Sequence, residues 1–240
     1  MRFLHFYTSV FGWRVRGGPF RGMRYVRESV GSAFAPKLLG SYELELADWI
    51  ETLIARQPAT VLNLGAAEGY YAVGFALRSP RTRVVAFEAE PDGQALIARL
   101  AAHNGVAGRI AIEGFCTTEL LARYLAAATE PPLLIVDIEG GEMELIDPQP
   151  LPALRDSTLL IELHENDKPA GDILRARFAA THDIEERWAR PRTRADLPAP
   201  LRQLARFVAP GRFVAAMDER RAWQMRWFLC TPRRAGAAHP

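Results

Sequence analysis

Asp137 and Glu139 stand two residues apart, and so do Glu162 and His164. Each pair ends a short apolar run, LLIVDIE in one case and LLIELHE in the other. Side chains alternate faces along a strand, so residues spaced by two project to the same side. If the two strands lie near each other, three carboxylates and an imidazole meet at one edge of a sheet. A histidine or carboxylate of suitable pKa can take the proton from a reacting hydroxyl. Asp137, Glu162 and His164 could instead ligate a divalent metal such as Mg, Mn or Zn, which would lower the pKa of a bound hydroxyl. Structural duties are open to the same residues. Glu139, ahead of Gly140 and Gly141, could cap a short helix, Glu162 could pair with a buried Arg, and His164 could be a satisfied edge histidine.

A second constellation lies upstream in VLNLGAAEGYYAVGFA, residues 61–76. It reads as a buried strand, a turn holding Gly65 and Gly69, and an apolar helix. Glycine serves where the chain needs an unusual turn or where something approaches the bare backbone. The following strand ends in Glu88, 23 residues after Gly65, where an acid can accept hydrogen bonds from both hydroxyls of a ribose. Turn and acid together suggest a nucleoside-bearing cofactor. A dinucleotide would call for G-x-G-x-x-G. Here the spacing is G-x-x-x-G with Glu68 inside the turn, a charge expected to repel a pyrophosphate and to suit a cofactor carrying an amino group and a cationic sulfur.

The elements that must position these residues alternate. Strands are expected at 60–64, 83–88, 109–113, 133–138, 158–163, 184–189 and 224–230. Helices are expected at 43–56, 69–78, 91–103, 117–128, about 142–146 and 170–180. Short, continuous apolar strands alternating with helices imply an α/β fold: a Rossmann-like, mostly parallel seven-stranded sheet with helices on both faces. A long connection separates the last two strands, which could pair antiparallel at one edge. Residues 190–201 read as a Pro-rich loop. Residues 1–42 are expected to form an N-terminal arm or lid, with Tyr42 and Glu43 placed to reach a ligand. Residues 43–234 form the main domain and 235–240 a tail.

The chain has 240 residues, 49% of them apolar and 24% charged, which fits one globular α/β domain. The net charge of +2 is unevenly placed. Residues 1–30 carry six Arg and one acid, residues 188–240 carry eleven Arg and three acids, and the middle carries 13 basic and 24 acidic residues. These ends are either solvated surface or fold over the acidic middle. No basic stripe interleaved with aromatics marks a nucleic-acid binder. No run approaches the length of a membrane span, and the aromatic N-terminus lacks a cleavage signal. Cys116 and Cys230 read as buried thiols of a cytoplasmic protein. A homodimer is compatible with this composition.

Beyond the glycine turn and Glu88, the segments VVAFEAEP, HNGV, LLIVDIEGGEMELI and LLIELHE follow in an order that resembles the FkbM-like family of class I S-adenosylmethionine-dependent methyltransferases. The lead-in GPFRGMRYV and PKLLGSYELEL is similar as well, so the resemblance covers roughly residues 18–231. It implies S-adenosylmethionine as cofactor and a small-molecule acceptor, a sugar or natural product hydroxyl among others. Carried over by position, Gly65, Ala66, Gly69 and Tyr70 would pack on the methionine part, with Asn63 and Glu68 beside them. Glu88 would hold the ribose, while Ala89, Gly114 and Phe115 would border the adenine. Asp137 would hold the ammonium group. The family usually has an Asp or Asn in the first turn, whereas this chain has Asn63 and Glu68. Many members carry a Lys where Ile135 stands, so no lysine role transfers. A dinucleotide-dependent oxidoreductase would share the sheet and Glu88. Against it, no Tyr is followed four residues later by a Lys. A non-catalytic cofactor-binding module on the same fold is the third reading.

Overall fold

Five residues with apolar side chains on both faces make a strand that only the middle of a sheet can accommodate. Such is β1, Thr60–Leu64, whose last four residues are buried. The computed structural model describes residues 8–9, 12–30, 33–165, 169–205, 210–221 and 225–233. The expected tail, 235–240, lies outside them. The remaining strands are β2 Arg83–Phe87, β3 Ile110–Glu113, β4 Leu133–Val136, β5 Thr158–Leu163, β6 His182–Trp188 and β7 Arg226–Pro232. Their order across the sheet is β3-β2-β1-β4-β5-β7-β6. The first five are parallel, and β7 runs antiparallel to both β5 and β6. The Rossmann-like arrangement with an antiparallel edge is therefore as expected. The chain winds outward from β1 through β2 to β3, then returns to place β4 on the other side of β1. That reversal opens a crevice above the carboxyl ends of β1 and β4, where ligands bind in such sheets.

The helices are α1 Phe34–Leu39, α2 Ala47–Ala55, α3 Tyr70–Arg78, α4 Pro91–His103, α5 Thr118–Ala127, α6 Glu142–Leu145, α7 Ala170–Phe178, α8 Ala199–Leu204 and α9 Pro210–Ala216. Strand side chains sort onto two cores. Val61, Ala86, Ile135 and Leu160 face a core built with α2, α3, α4 and the N-terminal segment. Leu62, Leu64, Leu134 and Ile161 face a second one, with Leu121 and Leu125 of α5 and Leu174 and Phe178 of α7. The helix expected over 43–56 starts later: Glu43 takes a left-handed φ of 45° and a 3-10 turn, Leu44–Leu46, precedes α2. Tertiary bonds hold Glu43 out of the helix, since its N–H donates to Glu219 Oε1 at 3.1 Å and its carboxylate pairs with Arg221. The long β6–β7 connection, expected to be a loop over 190–201, carries α8 and α9.

The N-terminal segment departs most from expectation. Its glycines, prolines and aromatics suggested a lid, yet Val15, Phe20, Met23, Tyr25 and Val26 are buried. The Phe20 ring packs edge-on against Tyr70, Tyr71 and Phe75 of α3. It also fills the space that a Cβ on Gly74 would need, 2.6 Å from the ring. Asn104 clasps the segment by accepting from Arg24 N at 2.9 Å and donating to its carbonyl at 2.8 Å. The segment is thus anchored by apolar burial along its described length. Opening it as one piece would expose the core. Phe20→Ala should accordingly cost about 3–5 kcal/mol, the range for truncating a buried aromatic. Urea unfolding of the variant measures this, and a loss below about 1 kcal/mol would return the segment to the status of a loose arm.

Candidate active site

β1 leads straight into the crevice. Gly65 has a φ of 73°, and a Cβ there would fall 1.7 Å from the Asp137 carbonyl oxygen at the end of β4. Glycine is needed because the turn passes directly over the neighbouring strand. Gly69, with a φ of 94°, ends the turn as the residue before α3 and lies against Ile97 of α4. Its duty is to start the helix, and among the described residues it does not line the cavity above the strands. That cavity measures about 920 Å³, near the top of the roughly 300–1,000 Å³ typical for small-molecule sites. It runs from Phe115 and Glu88 past Gly65, Ala66, Asn63 and Asp137 to Glu162 and His164.

The expected cofactor residues divide. Asn63, Gly65, Ala66, Tyr70, Glu88, Ala89, Gly114, Phe115 and Asp137 all line the cavity. Glu88 accepts from Ala67 N at 2.7 Å on one oxygen and from Glu90 N at 2.9 Å on the other. Backbone donors thus fix the carboxylate, and its remaining lone pairs are available to a ligand. Phe115 leaves 73% of its surface exposed beside Glu88, a flat apolar platform. Asn63 is buried, and its Oδ1 finds no partner among the described residues. Such an atom in a cavity wall is fitted for a donor on a ligand. Glu68, by contrast, turns away from the cavity. Its carboxylate is fully buried against Lys37 Nζ at 2.6 Å, the Tyr25 hydroxyl at 2.7 Å and Ser29 Oγ at 2.7 Å. Burial would raise its pKa, but the Lys37 charge and these hydrogen bonds outweigh it and hold the pKa low. Its expected place on the cofactor is thereby corrected: it binds the N-terminal segment to the turn.

At the other end of the cavity the two strand-end pairs do meet. His164 Nε2 lies 3.7 Å from Asp137 Oδ1 and 3.4 Å from Glu139 Oε2. The ring is held from behind by a residue that spacing alone did not single out. Glu142 Oε1 is 2.8 Å from Nδ1 and also accepts from Gly140 N at 3.2 Å. With Glu142 taking the Nδ1 proton, Nε2 faces the cavity as the available base. Burial lowers the His164 pKa, but the bond to Glu142 and the surrounding carboxylates raise it more, so the net shift is upward. Glu139 sits at the rim with 82% of its side chain exposed, in a left-handed turn with φ 54°. It does not cap the short helix, whose N-cap position is Gly141 with no side-chain cap.

Arg221, from the β6–β7 connection, organises the remaining acids. It pairs with Glu162 and reaches Glu43 Oε1 and the Tyr42 hydroxyl, both at 2.6 Å. Tyr42 lines the cavity, whereas Glu43 stands behind it and touches it through Arg221 and Tyr71. Ligand atoms of Asp137, Glu162 and His164 lie within 4.8 Å of one another, close enough for a shared cation. Arg221 already occupies Glu162, however. Burial, then the charge of Glu43, pushes Asp137 up to about 6. Burial and neighbouring Asp137 also raise Glu162. Glu219 is pushed up to about 7, chiefly by burial, with Arg192 opposing and Glu43 adding to the rise.

No family model and no curated protein sequence matches the chain, so the FkbM-like resemblance gains no support there. Solved structures similar to it include the O-methyltransferase from Bacillus cereus in complex with S-adenosylhomocysteine, at 10% identity over 75% of this chain and 77% of that one, with a TM-score of 0.49. The putative precorrin-6Y C5,15-methyltransferase domain from Corynebacterium diphtheriae shares 15% identity over 80% and 98%, with a TM-score of 0.49. The O-methyltransferase TomG from Streptomyces achromogenes in complex with S-adenosylmethionine shares 14% over 75% and 77%, with a TM-score of 0.48. At such identities nothing about this chain's chemistry follows from the likeness.

The raised acids have a consequence for stability. An acid whose pKa is higher in the folded state favours folding while protonated, and that contribution is lost as pH rises through the folded value. For Asp137 and Glu219 the window runs from about 4 to about 7, and the raised His164 acts in the same direction. The ligand-free protein should therefore lose on the order of 1–3 kcal/mol between pH 5 and pH 8. Urea midpoints at three pH values measure the slope. Glu219→Gln should flatten it, and an unchanged slope in that variant would remove Glu219 from the account.

Proposed function

We propose that the protein is an S-adenosylmethionine-dependent methyltransferase that methylates a hydroxyl of a small acceptor, in the manner the FkbM-like resemblance implies. The observation that supports this best is one continuous cavity. It joins a nucleoside end, made by Glu88 and Phe115, to a base end, made by His164 and Glu142. The residues present fit the cofactor. Glu88 offers two fixed carboxylate oxygens to a ribose, Phe115 an apolar face to adenine, and Asp137 with the unpartnered Asn63 Oδ1 offers acceptors to an ammonium group. When bound, the cofactor supplies a methyl group already activated by a sulfonium. The chain's own residues then position the acceptor and exclude water. His164 Nε2 removes the acceptor's proton, while Glu142 keeps the ring oriented and stabilises the imidazolium that forms. Exposed Glu139, 3.4 Å from Nε2, is placed to pass that proton to solvent.

A dinucleotide reading is disfavoured, though not by Glu68, which Lys37 neutralises. The carboxylates of Asp137, Glu139 and Glu162 face the same cavity and would repel a pyrophosphate. A divalent metal on Asp137, Glu162 and His164 would have to displace Arg221 from Glu162. Removing a guanidinium from a buried carboxylate is costly, so direct base catalysis is the better reading.

In calorimetry the protein should bind S-adenosylmethionine and S-adenosylhomocysteine and ignore NAD. Glu88→Ala should weaken cofactor binding by about 2–4 kcal/mol through loss of two charge-assisted hydrogen bonds. Tight NAD binding without S-adenosylhomocysteine binding would overturn the assignment. In a labelled-methyl assay on a fractionated extract, His164→Ala should lower turnover roughly 10²–10⁴-fold with cofactor binding intact. Chelator should have no effect. Loss of turnover on chelation and its restoration by Mg²⁺ or Mn²⁺ would put the metal reading in place of direct base catalysis. Unchanged binding with no turnover in any fraction would favour a non-catalytic module.

A further inference from the structure

The cations around the acceptor end are nearly all committed. Lys37 is held by Glu68 at 2.6 Å. Arg192 is shared by Glu45 and Glu219, and His164 is bonded to Glu142 at 2.8 Å. Among the described residues, what remains at the ends of β4 and β5 is Arg221, set among Glu43, Glu162 and Asp137, with Glu219 Oε2 a further 3.3 Å from its Nε. Arg220 also lines the cavity, but at its exposed rim, where water screens it. Counted over the described residues, the inner wall therefore holds more negative charge than positive. Glu43 and Glu162 are buried and Asp137 is half-buried at the cavity, so the field of this wall is screened less than that of the rim. A second observation marks the same wall as built for a ligand: Asn63 Oδ1 is buried, lines the cavity and lacks a partner among the described residues.

Strand order fixes what would face this wall. Neighbouring strands lie about 4.8 Å apart. With a ribose at the end of β2, a ligand reaching across β1 brings its next few atoms above β1 and β4. In the cofactor assigned above, those atoms are the sulfur and its methyl. We propose that this wall discriminates the cofactor by charge: it binds the methylsulfonium form more tightly than the uncharged thioether left after methyl transfer. The inference rests on the cofactor reading of the preceding subsection. Its consequence is regulatory. Transfer of the methyl group carries the positive charge away from the sulfur, so the excess of carboxylates no longer holds the product, and product inhibition is weak. A site held mainly by contacts common to both forms, such as the adenine, ribose and amino-acid groups, would show no such preference.

Isothermal calorimetry at pH 8 with three ligands tests this. They are S-adenosylmethionine, S-adenosylhomocysteine and the analogue in which a protonated amine replaces the methylsulfonium. The two cations should bind on the order of tenfold more tightly than the thioether, the scale of one charge beside a partly screened carboxylate. Asp137→Asn should shrink that ratio several-fold. The ratio is the readout, since this variant also weakens the ammonium contact that all three ligands share. Equal or tighter binding of S-adenosylhomocysteine by the wild-type protein would overturn the inference while leaving the cofactor assignment standing. Tight binding of S-adenosylmethionine but not of the amine analogue would overturn charge as the cause. If none of the three binds, the cofactor reading itself falls, and this inference with it.

Discussion

The guanidinium of Arg221 is the tie on which the acceptor end of the cavity depends. It joins Tyr42 and Glu43 at the entry to α2, Glu162 at the end of β5, and Glu219 beside it in the β6–β7 connection. These groups come from three stretches of chain that no local rule would bring together. The ring of Trp227 lies 5.5 Å from the guanidinium carbon and that of Tyr42 lies 5.2 Å away, so the charge is also seated on aromatic faces. Buried charges are tolerable only when paired, and breaking such a pair typically costs about 3–5 kcal/mol because the other charge is left stranded. Here one cation serves more acids than it can neutralise. Burial first, and then the charge of neighbouring acids, raises the pKa values of Asp137, Glu162 and Glu219. A structure that leaves carboxylates underpaid with cations stores an affinity for positive charge at that place.

That arrangement helps to anchor the N-terminal segment. Its last residues, Tyr42 and Glu43, are fixed by Arg221, and its middle is fixed by the Glu68–Lys37 pair with Tyr25 and Ser29. Ahead of these polar anchors in the chain Phe20 and Met23 are buried, Phe20 against Phe75 of α3. Both anchors fall beside the cavity, since Lys37 and Tyr42 line it. The first glycine turn is therefore supported from outside by the same segment that bounds the ligand space.

How much of this the sequence could reveal depends on the range of the forces involved. Strand and helix order follow from local periodicity, so all seven strands and the parallel arrangement of the first five were legible. Gly65 and Glu88 were legible because a turn over a neighbouring strand and an acid at a strand end are local demands. Glu68 was misread: a carboxylate in the turn is local information, but Lys37, which turns it away from the cavity, lies 31 residues upstream. The burial of the N-terminal segment was hidden for a similar reason. Glycines and prolines describe the backbone's freedom, whereas the burial of Phe20 depends on the room left by Gly74 in α3. Arg221 carries no motif at all. Only its neighbours in space set it apart from the other arginines of the C-terminal region.

Glu142 is the instructive intermediate case. The run DIEGGE was read for Asp137 and Glu139, which sit at the strand end, and its final Glu was left unassigned. The two glycines let the chain double back, with Gly140 at a φ of 106°, and bring Glu142 under the loop it closes. There its oxygen collects the backbone N–H of Gly140 and the ring of His164. The double glycine thus makes the best sense as the device that aims a buried carboxylate at a histidine from another strand. A residue three positions past Glu139 becomes the inner partner of His164, while Glu139 itself is left at the rim. The uneven charge of the chain has the same logic at larger scale. Arg192, Arg221 and Arg226 near the C-terminus pair with Glu45, Glu162 and Glu165 of the acidic middle. The basic end does fold over the acidic centre. It pairs no arginine with Asp137 and Glu139 among the described residues, and both face the cavity, where a cationic ligand can complete the pairing.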